Sequence, residues 1–299
     1  MTAETLRRQL VPPVPPVNRL RPAGPVVTWQ KAGFWLVVAV ILVCSLFPFW
    51  WIVKTSLQSV DEFTQGTQGL LPAAVSLEAY GQVLSDPEFL RPVVNSIAVC
   101  TTTTAITVVL ASLAGYGLAR LRVRRPGMIL AVILLTGFFP VLAMVGPLFL
   151  VYRTFGLLDG FAGLVLADLV YTLPIATWLL YNFFAQIPAS LEEAALIDGA
   201  SRMQALWHVI VPVAVPGVFT AAILSFILAW NDFAFALSFL QTPESFTAPL
   251  ALVNLGQSQF QVFYNVIDAA VVVITLPVAL LVLFAQKRIV SGLTAGAVK

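Results

Sequence analysis

The chain has few charged residues, only two cysteines and a single histidine. Of its 299 residues, 10% are charged and 59% are hydrophobic, whereas soluble domains carry roughly 25% charged residues. A water-soluble fold of this size would leave too much apolar surface exposed. Lipid is therefore the expected solvent, and no nucleic-acid partner is expected. Cys44 and Cys100 both lie inside apolar runs, so a disulfide scaffold is not expected.

The common catalytic and metal-binding motifs are also missing. The sequence has no G-x-S-x-G, no H-E-x-x-H and no G-K-[ST] phosphate loop. His208 has no cysteine or second histidine at metal-ligand spacing. We therefore expect no catalytic residue, no metal site and no cofactor bound by this chain, and an intramembrane enzyme is disfavoured. ATP hydrolysis through a phosphate loop would have to take place on a partner.

Six apolar runs are long enough to cross a membrane as helices, which takes about 20 residues for about 30 Å of hydrocarbon. They are too long and too uniformly apolar for the strands of a membrane barrel. The other structure that satisfies all backbone hydrogen bonds in lipid is the helix. We therefore predict an all-α, polytopic fold in which a transmembrane domain over residues 32–286 has six spans, at Gly33–Val53, Val93–Ala119, Met128–Val151, Phe161–Phe184, Gly217–Leu240 and Val266–Ala285.

Lysine and arginine set the predicted orientation. Thirteen of the 16 basic residues precede span one, follow span six, or lie between spans two and three or four and five. The positive-inside rule then places both termini in the cytoplasm. The proline-rich residues 1–31 are expected to be a disordered cytoplasmic tail, and residues 287–299 a cytoplasmic C-terminal tail. Loops 54–92 and 241–265 are then external, where they either contact another component or merely connect spans.

The loop between spans four and five is the most informative segment. Ser190 and Glu193 form an S-x-x-E capping box, which predicts a short helix from Leu191. Gly199 is expected to end this helix, since glycine adopts the left-handed conformation without a Cβ penalty. Ala194 and Ala195 would present a small face that another protein can approach closely, and Glu193 could pair with a basic group there. The alternative is an ordinary amphipathic interfacial helix.

A second short helix is predicted after that glycine. Ser201 and Gln204 repeat the capping-box spacing, so this helix would begin at Arg202 and run toward Val209. Pro212 is expected to end it, because proline lacks the amide that the next turn needs. Pro216 would then introduce span five. The segment from residue 187 to residue 217 is thus predicted to be a helix–turn–helix on the cytoplasmic surface.

These residues carry a family resemblance. Glu193-Ala194-Ala195, followed after three residues by Gly199 and after nine more by Val209-Ile210-Val211-Pro212, resembles the EAA motif of bacterial ABC importer permeases, with valines for the usual isoleucine and leucine. Further segments resemble the carbohydrate, maltose/trehalose-type branch of the binding-protein-dependent transport inner membrane component family. They are Asn95-Ser96, Ser112–Arg120, Trp230–Phe233 and Gly292–Lys299. The resemblance covers roughly residues 33–299.

The resemblance implies a permease subunit that forms half of the translocation pore of an ATP-driven importer for a sugar, expected to be a di- or oligosaccharide. The loop would couple to a cytoplasmic ATPase dimer, which binds ATP and Mg, through Glu192, Glu193, Ala194, Ala195, Gly199 and Pro212. The other implied partners are a second homologous permease and an extracytoplasmic solute-binding protein. The implied location is a bacterial or archaeal cell membrane.

Three aspartates fall within or near the predicted spans. Burying a carboxylate in lipid costs about 2.5–3.5 kcal/mol on insertion scales, so such residues face a cavity, a partner helix or the interface. Asp232 lies beside Trp230 and Asn231, and an aromatic face with amide and carboxylate acceptors suits a sugar. A polar contact to the other permease is the alternative for Asp232. Asp168 and Tyr171 are further substrate-pathway candidates.

Asp268, the third aspartate, is expected at the outer interface. The three carboxyl groups also allow a different reading, a proton-coupled secondary transporter that uses them as a proton relay. That reading requires no ATPase, and it leaves the spacing of the EAA-like segment unexplained.

Overall fold

The computed structural model describes residues 28–64, 69–257 and 264–295. In this part of the chain the regular elements are all helical. They are α1 Thr28–Ser56, α2 Val60–Thr64, α3 Glu78–Ser85, α4 Pro87–Arg120, α5 Pro126–Gly137, α6 Val141–Phe155, α7 Phe161–Gln186, α8 Ala189–Ile197, α9 Arg202–Ala205, α10 Val211–Val213, α11 Val215–Trp230, α12 Ala234–Phe239, α13 Ala248–Gln257 and α14 Tyr264–Ala295, with a π-helical turn at Leu206–Ile210 and a 3₁₀ turn at Pro243–Ser245.

The described residues divide into two units at the boundary between Trp51 and Ile52. Four of the described helices are long and apolar enough to cross a membrane by themselves, and up to six spans result when each of two sharply bent helix pairs counts as one. The all-helical prediction is therefore confirmed. Of the predicted tails 1–31 and 287–299, residues 1–27 and 296–299 lie outside the described residues. The described parts are helical, since α1 begins at Thr28 and α14 runs past the predicted end of span six to Ala295.

Span three, predicted over Met128–Val151, is broken near its middle. It consists of α5 and α6, whose axes are bent by 85°. Pro140 precedes α6 in an extended conformation and lacks the amide that would continue a helix. At the end of α5, a Cβ on Gly137 would lie 3.3 Å from the Pro174 side chain, so the glycine allows a close approach to α7.

Span five also departs from the prediction of one helix over Gly217–Leu240. Helix α11 ends at Trp230, and the short α12 begins at Ala234 after a break. The Asp232 carboxylate accepts hydrogen bonds from the backbone amides of Phe235 (3.3 Å) and Ala236 (3.0 Å). An aspartate that satisfies the free amides of a helix N-terminus favours a new helix start at that place.

The most extensive helix packing joins α4 to α7. A Cβ on Gly115 would lie 2.9 Å from the backbone nitrogen of Tyr181, so only glycine allows this approach. About two turns nearer the middle of the helices, the hydroxyls of Thr107 and Thr172 are 2.9 Å apart and both residues are buried. Small side chains and interhelical hydrogen bonds are what hold helices together where lipid removes the hydrophobic driving force.

The two long loops fold into short helices packed on the ends of the spans. Helix α4 begins at Pro87, six residues before the predicted span, because Asp86 caps it by accepting a hydrogen bond from the Glu88 amide (2.9 Å). The hydroxyls of Ser56 and Tyr80 are 2.7 Å apart. Asn265 of α14 donates a hydrogen bond to the Gln58 carbonyl (3.2 Å), which ties the start of the last helix to the first long loop.

The tight contact between α4 and α7 predicts that alanine substitution lowers stability at one glycine of α4 and not at another. We expect Gly115→Ala to destabilise the protein by about 1–3 kcal/mol, because the new methyl group overlaps backbone atoms. In Gly117→Ala the methyl group would lie 3.9 Å from the Leu121 Cδ1, and alanine favours helix over glycine, so no loss is expected. Thermal unfolding in mild detergent compares the two. Equal stability of both variants would contradict the account.

Candidate coupling loop and polar membrane residues

The first loop helix, α8, begins at Ala189 rather than at Leu191. The residue before it is Pro188, and no side chain caps the helix N-terminus. The predicted capping box of Ser190 and Glu193 is therefore wrong. Proline fixes φ and prepares the chain for a helix that starts directly after it, which places Ser190 inside the first turn.

The turn after α8 has the predicted glycine conformation. Gly199 has φ +91°, a left-handed value that side chains with a Cβ rarely adopt. The amide of Gly199 donates to the Leu196 carbonyl (3.1 Å) and that of Ala200 donates to the Ala195 carbonyl (3.0 Å). These bonds satisfy carbonyls that the end of a helix leaves free. Gly199 therefore fixes the angle at which the chain leaves α8.

The second capping box is confirmed, but the predicted stop at Pro212 is wrong. The Ser201 hydroxyl accepts from the Gln204 amide (3.3 Å), and the Gln204 side chain accepts from the Ser201 amide (2.8 Å). The chain then passes through the π-helical turn and continues across Pro212 to Val213, the last residue of α10. The bend of 84° comes later, between Val213 and Val215.

Exposure separates the two glutamates of the loop. Glu193, Ala194 and Gly199 are exposed and Ala195 is partly buried, so these four predicted coupling residues lie on the accessible side. Ile197 is 85% exposed at the C-terminal end of α8. Ile197 was not among the residues predicted from sequence, although it lies between the EAA-like residues and the glycine, where an exposed apolar side chain is notable. Glu192, in contrast, is 7% exposed.

Glu192 joins two residues of α4 in a buried polar cluster. Its Oε1 accepts a hydrogen bond of 2.6 Å from the Tyr116 hydroxyl, and its Oε2 lies 3.9 Å from the Arg120 Nε. The Arg120 guanidinium also donates to the carbonyls of Phe184 (2.7 Å) and Ile187. Arg120 and Tyr116 belong to the segment quoted for the family resemblance, but sequence alone did not indicate that they meet Glu192.

The substrate-pathway candidates separate into two places. Asp168 is fully buried, and one of its carboxylate oxygens accepts from the Tyr171 hydroxyl (2.7 Å) while the other has no hydrogen-bond partner. The Tyr171 ring stacks on Phe235, with centroids 6.2 Å apart. Phe235 also donates its amide to Asp232. The structure thus brings Asp168, Tyr171 and Asp232 together around the break in span five.

Trp230 and Asn231 lie against a different set of residues. The Trp230 ring is buried and stacks on Phe226 at 5.7 Å. A cavity of about 230 Å³ is lined by both predicted residues and by Pro249, Leu252, Val271, Ile274, Thr275 and Val278. The Asn231 amide is exposed and donates to the Ile227 carbonyl (2.7 Å). The predicted Trp-Asn-Asp group is therefore divided between two sides of span five.

A third polar site, not predicted from sequence, joins the ends of α6 and α12. Asp159 has a left-handed φ of +54°. Its Oδ1 accepts from the amides of Gln241 (2.8 Å) and Thr242 (3.1 Å) and from the Ser245 hydroxyl. Asn95 of α4 holds the same loop by donating to the carbonyls of Glu244 (2.8 Å) and Phe246 (3.0 Å). Both interactions fix the loop over residues 240–247.

The ionised form of Asp159 carries this interaction. Partial burial raises its pKa, but the hydrogen bonds from Ser245, Gln241 and Thr242 outweigh burial and lower the pKa to about 2. A depressed pKa contributes stability that is present above the unfolded-state pKa, about 3.9 for aspartate. That stability is lost as the pH falls through the folded-state value. The interaction is therefore fully formed at neutral pH.

We expect Asp159→Asn to destabilise the loop by about 1 kcal/mol, because it removes the charge but keeps an acceptor and tolerates the left-handed backbone. Asp159→Ala should cost about 1 kcal/mol more, since it also strains the turn. The rate of proteolytic cleavage within residues 240–247 measures the effect. Glu244→Gln, which neutralises an exposed carboxyl of the same loop, is the control. Cleavage at an unchanged rate in both Asp159 variants would contradict this role.

No group of three or more histidine, cysteine, aspartate or glutamate side chains that could hold a metal ion occurs in the described ranges 28–64, 69–257 and 264–295. Cys44 is exposed and Cys100 is buried, and both are free thiols. The polar residues described above form hydrogen bonds with one another or with the backbone in three places: the cluster around Glu192, the break in span five, and the turn at Asp159.

Comparison with known proteins agrees with the arrangement of helices and loop. Residues 102–294 match the family model described as binding-protein-dependent transport system inner membrane component. The chain is 41% identical to the trehalose transport system permease protein SugB of Mycobacterium tuberculosis, over 90% of this chain and 98% of that protein. It is also 41% identical to the sulfoquinovosyl glycerol transport system permease protein SmoH of Agrobacterium fabrum, over 88% and 92% of the two chains.

A solved structure gives the same result at the level of the fold. The chain superposes with a TM-score of 0.77 and 27% identity on a chain of a bacterial ABC transporter involved in the import of the acidic polysaccharide alginate, covering 89% of this chain and 99% of that one. The chain belongs to the family of binding-protein-dependent transport system inner membrane components. It is a permease subunit of an ABC importer, a transport component and not an enzyme.

Proposed function

We propose that this permease forms half of the translocation pore for a sugar and couples to a cytoplasmic ATPase through the segment from α8 to Gly199. The observation that carries the proposal is the exposed face of this segment, where Glu193, Ala194 and Ile197 are accessible beside a glycine with a left-handed φ. A short helix with small exposed residues and an apolar tip fits a groove on a partner protein. Family membership favours this function over the proton-coupled secondary transporter.

The proposed substrate class rests on the relatives. The two relatives named above transport trehalose and sulfoquinovosyl glycerol, and a trehalose/maltose permease of Thermococcus litoralis is 35% identical over 88% of this chain. We place the substrate among di- and oligosaccharides and sugar glycerols. The proposed polar groups of the pathway are Asp232, Asp168 and Tyr171, which meet at the break in span five. Trp230 and Asn231 line the separate cavity on the other side of the span and are the alternative place for a sugar.

The proposed assembly follows from the division of labour in an ABC importer. A second homologous permease completes the pore, an ATPase dimer binds ATP and Mg in the cytoplasm, and an extracytoplasmic solute-binding protein delivers the sugar. The positive-inside distribution of basic residues supports a cytoplasmic location for the loop with Gly199, on the same side as the proposed ATPase. The chain is then a multi-pass protein of a bacterial or archaeal cell membrane.

The left-handed turn gives the first test. Replacing Gly199 with valine forces a β-branched residue into a positive φ, which costs about 1–3 kcal/mol and shifts the exit from α8. We expect Gly199→Val to reduce sugar uptake at least tenfold while the protein remains in the membrane. Gly199→Asn should retain most uptake, because asparagine tolerates the left-handed conformation.

Uptake is measured with a radiolabelled panel of trehalose, maltose and sulfoquinovosyl glycerol, in cells whose membrane content of the permease is quantified. Gly127→Val is the control for adding a valine at an exposed helix start, since a Cβ at Gly127 meets nothing within 4 Å. Normal uptake by Gly199→Val would count against the coupling role.

Asp232 gives the second test, because it has two roles that substitutions can separate. Asp232→Ala removes both the charge and the helix cap, whereas Asp232→Asn keeps a capping oxygen. If the carboxylate contacts the sugar, both variants lose uptake severalfold while the amount of assembled transporter changes little. If Asp232 only caps α12, the asparagine variant transports normally and the alanine variant loses about 1 kcal/mol of stability. We expect the first result.

A further inference from the structure

The buried cluster of Tyr116, Arg120 and Glu192 joins three elements at one end of the transmembrane domain. Arg120 is the last residue of α4, and Tyr116 lies one turn before it. The carbonyls of Phe184 and Ile187, which accept from Arg120, belong to the end of α7 and the link to α8. Glu192 supplies the carboxylate from α8. These five residues connect the coupling helix to the two helices that pack most extensively.

The cluster resists separation for an electrostatic reason. The side chains of Arg120 and Glu192 are each 9% exposed. A buried ion is tolerated only when a partner of opposite charge and hydrogen bonds replace the lost hydration. If α8 moved away from α4, Glu192 would lose both Tyr116 and Arg120, and the Arg120 guanidinium would stay behind on α4 without its carboxylate. If the cluster stays intact when α8 moves, the ends of α4 and α7 move with α8, because Arg120 binds both Glu192 and the carbonyls at the end of α7.

We propose that Glu192 is a positioning residue that transmits the movement of the coupling helix to α4 and α7 through Arg120. The inference rests on the proposed function, because it assumes that the ATPase moves α8. It assigns different tasks to the adjacent glutamates. Glu193 is exposed and available to a partner, whereas Glu192 is buried against the transmembrane helices and holds the loop to them.

Apolar packing offers a competing route between the same elements. Leu206 and Ile210 of the π-helical turn are fully buried in a cluster with Tyr116, Leu180 and Phe184. If this packing alone transmitted the movement, neutralising the ion pair would leave transport unchanged. The experiment must therefore remove the charge interaction and keep the apolar contacts.

The variants are Glu192→Gln, Arg120→Gln and the double variant, in the transporter assembled with its ATPase and binding protein in proteoliposomes. Uptake of radiolabelled trehalose, ATP hydrolysis and the amount of bound ATPase are measured together. We expect each single variant to bind the ATPase and hydrolyse ATP at near wild-type rates, with uptake lowered at least tenfold. The double variant should be no worse than the poorer single variant, since both changes break one interaction. Tyr116→Phe removes only one hydrogen bond of the cluster. Its loss of uptake should therefore be severalfold smaller than that of Glu192→Gln or Arg120→Gln.

The control is Arg122→Ala, which removes an exposed arginine two residues after Arg120 and should leave all three measurements unchanged. The inference is overturned if uptake stays normal in Glu192→Gln, which would leave the apolar packing as the route. It is equally overturned if bound ATPase, hydrolysis and uptake fall in parallel, since that is the result of a merely structural role.

Gly199→Val separates the inference from the proposed function on which it rests. If Gly199→Val uncouples transport and Glu192→Gln does not, the coupling loop stands and the role of Glu192 is wrong. If neither variant affects the ratio of ATP hydrolysed to sugar transported, coupling through α8 is itself wrong. Uncoupling by both variants supports the loop and the cluster together.

Discussion

The close approach of α4 and α7 is the contact on which the rest of the transmembrane arrangement depends. In lipid, helices gain little from hiding apolar side chains, so they associate through close packing and hydrogen bonds. Gly115 allows backbone contact with Tyr181, and Thr107 meets Thr172 within the same interface. Polar side chains of α4 fasten other segments at both ends of this helix pair. At one end Arg120 binds the carbonyls that finish α7, and at the other Asn95 holds the loop that follows span five.

The proposed cytoplasmic end is tightly linked, whereas the middle contains a broken helix. This difference suits a transporter that opens alternately to the two sides of the membrane. At the proposed cytoplasmic end, the connection between α7 and α8 is only two residues long and a buried ion pair adds a second link, so the loop and the helices move together. Near the middle, span five is broken, and Asp232 restarts the helix by capping α12. A broken helix leaves backbone and polar groups at membrane depth, which is tolerated where they line a cavity or are buried in protein.

Much of this architecture could be predicted from the sequence. The lengths of the apolar runs predicted the helical spans, and Gly199 and the Ser201 capping box were predicted because turn and cap chemistry is local. The breaks in spans three and five could not be predicted from hydropathy, since single residues such as Pro140 and Asp232 interrupt an apolar run but change its average hydropathy little. The contact between Glu192 and Arg120 could not be predicted either. These residues are 72 positions apart in sequence, and whether they meet depends on how α4 packs on α7.

The central claim is that the exposed tip of α8 docks on an ATPase. The most direct measurement is photo-crosslinking from a benzoylphenylalanine at position 197, which is 85% exposed, followed by identification of the captured protein by mass spectrometry. The account predicts one major product between this permease and an ATPase, and no such product from the same probe at position 132, an exposed position in the middle of α5. Capture of the permease alone or of a second copy of itself, with no ATPase, would contradict the account.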